Sequence, residues 1–173
     1  MKSKERRLAA IMFTDIVGYS SMMQKDEDLA NRMRVRHREV FNRLHDQHGG
    51  KILQYFGDGT LSIFPSTTAA VECAVALQQT LKKEPQVPIR VGIHTGDIVV
   101  GDLSLRGRSE FAAVGEQANL AAEIEGYTRQ KQVRILISET TAKAVESTHS
   151  LKSRGTVALE GGRLEVFELG AKQ

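Results

Sequence analysis

Apolar residues fall along this chain in two rhythms. Short apolar blocks over 8–13 and 51–56, each closed by an aspartate, read as strands. The second resumes at once as Leu61-Ser62-Ile63-Phe64, so 51–64 is a β-hairpin with Gly57-Asp58-Gly59 at its tip. After Ser20 comes a polar link. Leu29, Met33, Val40, Phe41 and Leu44 then share one helical stripe, opened by a capping residue near Asp26 and closed by Gly49-Gly50. Pro65-Ser66 opens a second helix with Ala69, Ala70, Cys73, Ala74, Leu77 and Leu81 on its buried side, ending at Lys82-Lys83 and Pro85.

Strands over 87–93 and 97–100 are expected to form another hairpin around His94-Thr95-Gly96, followed by a polar, glycine-punctuated loop over 101–108. A short strand over 110–114 leads into a helix over 116–127, where Asn119 and Glu123 project from one face. A strand over 134–137, a helix over 139–146 and strands over 156–159 and 164–169, turning at Gly161-Gly162, complete the chain. This order predicts an α+β fold: a ferredoxin-like (βαββαβ), palm-type antiparallel sheet with helices on one face and a C-terminal αββ extension. At 173 residues the chain fits a single domain, 1–173, with a core of about 7–169.

Composition narrows the class of protein. With 40% apolar and 26% charged residues this is an ordinary globular chain, and no apolar run is long enough for a membrane span. The basic N-terminus precedes a short apolar run ending on Asp15, which reads as a first strand and not a signal peptide. Cys73 is the only cysteine and lies on an apolar helix face, so it reads as core, and a cytoplasmic location fits. A net charge of +3 does not argue for nucleic acid, and neither nucleic-acid binding nor membrane insertion is expected. The exposed face of the first long helix carries Arg32, Arg34, Arg36, Arg38 and Arg43, either a solvated face or a docking surface for an acidic partner. His45 and His48 are three apart but have no third ligand nearby, and His94 reads as fixing a turn.

The candidate chemistry lies in the two strand-end aspartates. Either alone is an ordinary turn residue. If the strand carrying Asp15 lies beside the hairpin, however, Asp15 and Asp58 meet at one edge of a sheet, and each raises the other's pKa unless a cation neutralises them. A hard divalent ion with oxygen ligands, Mg²⁺ or Mn²⁺, suits that pair and commonly comes with substrate phosphates.

Four segments, Phe-Thr-Asp-Ile-Val-Gly-Tyr-Ser at 13–20, Phe-Gly-Asp-Gly at 56–59, Gly-Ile-His-Thr-Gly-Asp at 92–97 and Val-Gly-Glu-Gln-Ala-Asn-Leu-Ala-Ala at 114–122, occur in the order and spacing of one family. Through them the chain resembles a class III adenylate/guanylate cyclase catalytic domain, from Arg7 to Leu169. The resemblance implies conversion of ATP or GTP, with ATP favoured, into a 3′,5′-cyclic nucleotide and pyrophosphate, by a homodimer with active sites at its interface. It implies two ions, Mg²⁺ or Mn²⁺, on Asp15 and Asp58 with the Ile16 carbonyl contributing. It further implies phosphates cradled by the amides of Ile16, Val17, Gly18, Tyr19 and Ser20, and a ribose oriented by Asn119 across the interface.

The departures are as informative. Where the family often carries base-reading side chains this chain has Gln54 and Ala112, and only Gln54 can hydrogen-bond a purine edge through its side chain. Where the family carries phosphate-binding cations it has Glu123 and Glu160. Loss of one such donor typically costs about 2.7–4 kcal/mol of transition-state stabilisation, and Arg163, Arg129, Lys131 or a partner chain's arginine are the available substitutes. A second reading is therefore a weak or inactive nucleotide-binding regulatory homologue that needs a heteromeric partner. A third, an RNA-binding or polymerase-palm relative, is disfavoured by an aromatic content of 5% with no Trp.

Overall fold

The computed structural model describes residues 5–100 and 107–172. Seven strands form one sheet in the order β2-β3-β1-β4-β5-β7-β6. They are β1 (Glu5–Ile16), β2 (Lys51–Phe56), β3 (Gly59–Phe64), β4 (Ile89–Val100), β5 (Ile135–Ser138), β6 (His149–Leu159) and β7 (Gly162–Lys172). The helices are α1 (Tyr19–Lys25), α2 (Glu27–His48), α3 (Thr67–Leu81), α4 (Gly107–Lys131) and α5 (Glu139–Val145). All strand pairs are antiparallel except β4 with β5, so the α+β fold carries a mixed sheet.

Strand β1 is covered on both sides, which is why its sequence is almost continuously apolar. Ala10, Met12 and Ile16 enter the larger core with Val40, Phe41, Leu77 and Ile93, beneath α2 and α3. Ala9 and Ile11 alternate to the other face and pack with Leu61, Ile98 and Ala121. The helices expected on one face thus divide, with α4 on the opposite side from α2, α3 and α5. Gly92 makes this possible. A Cβ there would stand 2.4 Å from the Glu125 nitrogen and 2.6 Å from the Ala121 oxygen, so the α4 backbone rests directly on β4.

Several boundaries differ from the sequence expectation. No hairpin forms at His94-Thr95-Gly96, because β4 pairs without interruption along β1, from Ile89 opposite Ile16 to Val100 opposite Glu5. His94 lies inside that strand and its Nδ1 meets the Ser138 hydroxyl at 2.9 Å, while Thr95 and Thr141 share a hydroxyl contact of 2.8 Å. These bonds satisfy polar groups that looked like turn residues. The segment over 110–114, expected as a strand, belongs to α4, whose Ala-rich sequence has no proline to stop it. The link after Ser20 forms α1. Of the loop expected over 101–108, residues 101–106 lie outside the described residues.

The helix caps fall where the sequence places them. Asp26 Oδ1 accepts from Leu29 N–H at 3.1 Å and Ser66 Oγ from Ala69 N–H at 3.1 Å, capping α2 and α3. Gly49 closes α2 in the left-handed conformation, with φ 72°. Cys73 is fully buried, and burial pushes its thiol up to about 12. His45 is no metal ligand: its Nδ1–H donates to the Phe41 carbonyl at 2.8 Å and its Nε2 accepts from the Ser62 hydroxyl at 2.8 Å. His48 Nδ1–H likewise donates to the Leu44 carbonyl.

Candidate active site

The site forms where β1 ends. Asp15 stands between Gly59 of β3 and Arg90 of β4, while Asp58 occupies the two-residue turn joining β2 to β3. The Ile16 N–H donates to the Asp58 carbonyl at 3.1 Å, fastening the hairpin tip to the end of β1. Gly57, with φ 51°, supplies the left-handed backbone for that tight turn. Two acids remote in sequence are thereby brought together.

Their electrostatics bear the mark of that proximity. Asp58 is raised above the usual carboxylate value, first by burial and then by the negative charge of Asp15. Asp15 Oδ1 is buried without a hydrogen-bond partner. An orphaned carboxylate oxygen beside a second acid fits a hard cation, which would remove the repulsion and give that oxygen a partner. Among the described residues no three His, Cys, Asp or Glu side chains could hold a metal by themselves. A cation on this pair would therefore need further oxygens, from main chain, water or a bound phosphate.

A third acid escaped the sequence reading. Glu125 of α4 is only 6% exposed and feels the Asp15 carboxylate. Burial first, and then the neighbouring Asp15, push its carboxyl up to about 8, against the opposing pull of Arg90 and Arg129. The signal was available, since Glu125 is four residues beyond Ala121 and so faces the sheet as Ala121 does.

Beyond Asp15 the chain passes through Gly18, left-handed at φ 74°, and enters α1. Ile16 and Val17 do not offer their amides to a ligand, because these donate to the carbonyls of Asp58 and Pro88 at 3.1 and 2.9 Å. The amides of Gly18, Tyr19 and Ser20 are left at the turn and the first helical turn, where N–H groups have no intrahelical acceptor.

Gln54 is exposed and pairs across the hairpin with Leu61, on the face that Asp15 shares. On the same face the rings of Phe13 and Phe56 lie 6.0 Å apart. Ala112 belongs to α4, and its side chain lies outside the described residues. Asn119 is exposed on α4, one turn before Glu123. Both Glu123 carboxylate oxygens accept from the Glu160 N–H, at 3.1 and 3.3 Å, tying α4 to the β6–β7 turn. Arg163 does not join them. It pairs with Ala158, and strand alternation turns it away from Leu164, which packs beneath α4 with Val166.

The two acids thus converge where β1, the third strand of a seven-strand α+β sheet, comes to its end. Residues 1–171 match the family described as the adenylate and guanylate cyclase catalytic domain, and the chain belongs to that family. It is 39% identical over 132 residues to "Putative adenylate cyclase 3" of Rhizobium meliloti, covering 72% of this chain and 21% of that protein. It is 29% identical to "Adenylate cyclase" of Anabaena cylindrica, covering 86% of this chain and 33% of that one. The chain thus spans a third or less of these relatives' length. The structure superposes on the adenylate/guanylate cyclase/hydrolase of Silicibacter pomeroyi with a TM-score of 0.79 at 28% identity, covering 98% and 99% of the two chains. It matches the fold of the adenylyl cyclase CyaB of P. aeruginosa with a TM-score of 0.78 at 19% identity, covering 99% and 97%. Among the described residues no helix is long and apolar enough to cross a membrane.

Proposed function

We propose that this chain is a single catalytic domain, acting as a homodimer in the cytoplasm, that cyclises a nucleoside triphosphate to its 3′,5′-cyclic monophosphate with release of pyrophosphate. ATP is the favoured substrate, a reading supported by the names of the Rhizobium meliloti and Anabaena cylindrica relatives, "Putative adenylate cyclase 3" and "Adenylate cyclase". The observation that carries this reading is the convergence of Asp15 and Asp58 with Asp15 Oδ1 left unpartnered. These two carboxylates and the Ile16 carbonyl would hold two Mg²⁺ or Mn²⁺ ions. Such ions, when bound, acidify the ribose 3′-hydroxyl and neutralise charge on the triphosphate.

The chain's own groups have distinct tasks. The amides of Gly18, Tyr19 and Ser20 bind phosphate oxygens at a turn that Gly18 leaves open to close approach. Gln54 meets the base edge through its amide, while Ala112 contributes no side-chain hydrogen bond. Asn119 orients the ribose from the partner copy. Incubation with MnATP or MnGTP should yield cyclic nucleotide and pyrophosphate by chromatography, and Asp15→Ala and Asp58→Ala should abolish both. Product formation unchanged in those variants would refute the assignment.

A second reading is a regulatory homologue that binds Mn-nucleotide but turns over poorly without a partner that supplies arginine. It is favoured by Glu123, which is committed to the Glu160 amide, and by Arg163, which faces away from it. Saturable nucleotide binding without product would select this reading.

A further inference from the structure

A second concavity lies on the far side of the sheet from the Asp15 side chain. Asp15 alternates to the α4 face with Ile11, whereas this cleft opens on the α3 face. It has a volume of about 600 Å³ and lies between the end of α3, the 86–88 segment leading into β4, the turn from α4 to β5, and β7. Small-molecule sites commonly occupy roughly 300–1,000 Å³ and are mostly apolar, with a few convergent polar groups. The floor here fits that description, since Leu81, Val87, Val133, Ile135 and Leu169 line it and all are buried.

Its charges are unevenly matched. Lys82 and Arg134 line the wall, and among the described residues neither has an acidic partner. Glu168, the acid in the lining, is already held by Arg154, whose Nε donates to Glu168 Oε1 at 3.0 Å. Gln132 stands at the exposed rim. It closes α4 in the left-handed conformation, φ 58°, the one non-glycine residue with a positive φ among the described residues. Glycine is the usual occupant of such a helix end, and strained non-glycine positions cluster at ligand sites. An apolar floor buries an alkyl or aryl body, and the two cations offer charge-assisted donors to an anionic head. A single negative charge suits them, because Glu168 keeps an acid in the wall that would repel a doubly charged phosphate.

We propose that this cleft binds a small monocarboxylate with an apolar body, at a site separate from Asp15 and Asp58 and mechanically joined to them. Pro88 of the cleft wall accepts the Val17 N–H at 2.9 Å, and the next residue, Ile89, pairs with Ile16. A ligand seated against Val87 and Pro88 therefore bears on the strand end that carries Asp15 and on the turn at Gly18. Binding there is independent of whether the chain cyclises a nucleotide.

The probe is octanoate, with 1-octanol as its uncharged counterpart, titrated into the full ¹⁵N-labelled chain and followed by amide NMR. Octanoate should shift the amides of 79–87 and 132–135 saturably, and the Val17 amide with them. Octanol should bind about tenfold or more weakly, and so should octanoate to the Lys82→Gln/Arg134→Gln protein, since a hydrogen bond to a charged group is commonly worth about that factor. Both side chains are exposed, so the double variant should melt with wild type. Shifts that are absent, that do not saturate, that lie outside the cleft or that octanol reproduces at equal concentration would overturn the site. Wild-type affinity in the double variant would overturn the carboxylate assignment, and saturable binding that leaves the Val17 amide unmoved would overturn the link to the strand end.

Discussion

Replacing Gly92 by alanine probes the contact on which the site is built. The added methyl would sit 2.4 Å from the Glu125 nitrogen, 2.6 Å from the Ala121 oxygen and 2.7 Å from the Glu125 Cα. Carbon contacts relax to about 3.5–4 Å, so α4 would have to lift by roughly 1 Å. Both partners are backbone, and no rotamer change can relieve them. Lifting α4 separates Ala121 and Ile124 from the two clusters they fill and forfeits part of their dispersion contacts. Overpacking of this kind typically costs about 1–3 kcal/mol, and a backbone clash belongs at the upper end. At about 3 kcal/mol the melting temperature of a chain this size should fall by about 6–12 °C. The same substitution at Gly126, also in α4, meets nothing within 4 Å and lacks a positive φ, so Gly126→Ala should stabilise the protein by about 0.5–1 kcal/mol. Thermal unfolding by far-UV circular dichroism compares the two. A Gly92→Ala protein that melts with wild type would show that α4 does not bear on β4 as described.

Other expectations follow from the same packing. His37 and His45 are buried and both lowered to about 4, chiefly by desolvation. The unfolded chain binds their protons near 6.5, so their contribution to stability is complete above that pH and is lost as pH falls toward 4, by up to about 3 kcal/mol for each. Urea unfolding from pH 7 to pH 4.5 should show that slope, and His37→Phe, which removes a buried Nε2 without a partner, should flatten it. Cys73 should resist a disulfide reagent in the native protein and react promptly in denaturant; rapid native labelling would contradict its burial. Glu123→Arg removes the acceptor of the Glu160 amide, at a cost of about 1 kcal/mol, and should raise MnATP turnover. Unchanged or lower turnover in a folded, dimeric variant would mean that this helix face does not meet the phosphates.

The 51–64 hairpin, the caps at Asp26 and Ser66, and the placing of the β1 end beside the hairpin tip are legible in the chain, because each rests on local chemistry or on a motif with fixed spacing. What was not legible depends on tertiary contact. His94-Thr95-Gly96 imitates a turn, and only the hydroxyls of Ser138 and Thr141, some 40 residues on, make it a tolerable strand interior. Glu123 invited comparison with a missing cation, and its partner proved to be a main-chain amide on a distant turn. Glu125 does not stand out in the sequence because charge usually marks a solvated position, and the close approach that buries it is made at a glycine on another element.

The backbone bond from Ile16 to Asp58 closes a loop of about forty residues that includes all of α2. On the function proposed above, neither acid would grip an ion until the first strand has zipped against the hairpin, one of the slowest kinds of event for a polypeptide emerging from disorder. Cation affinity should therefore be acquired late during refolding, and a manganese signal would serve as a clock for the completion of the fold.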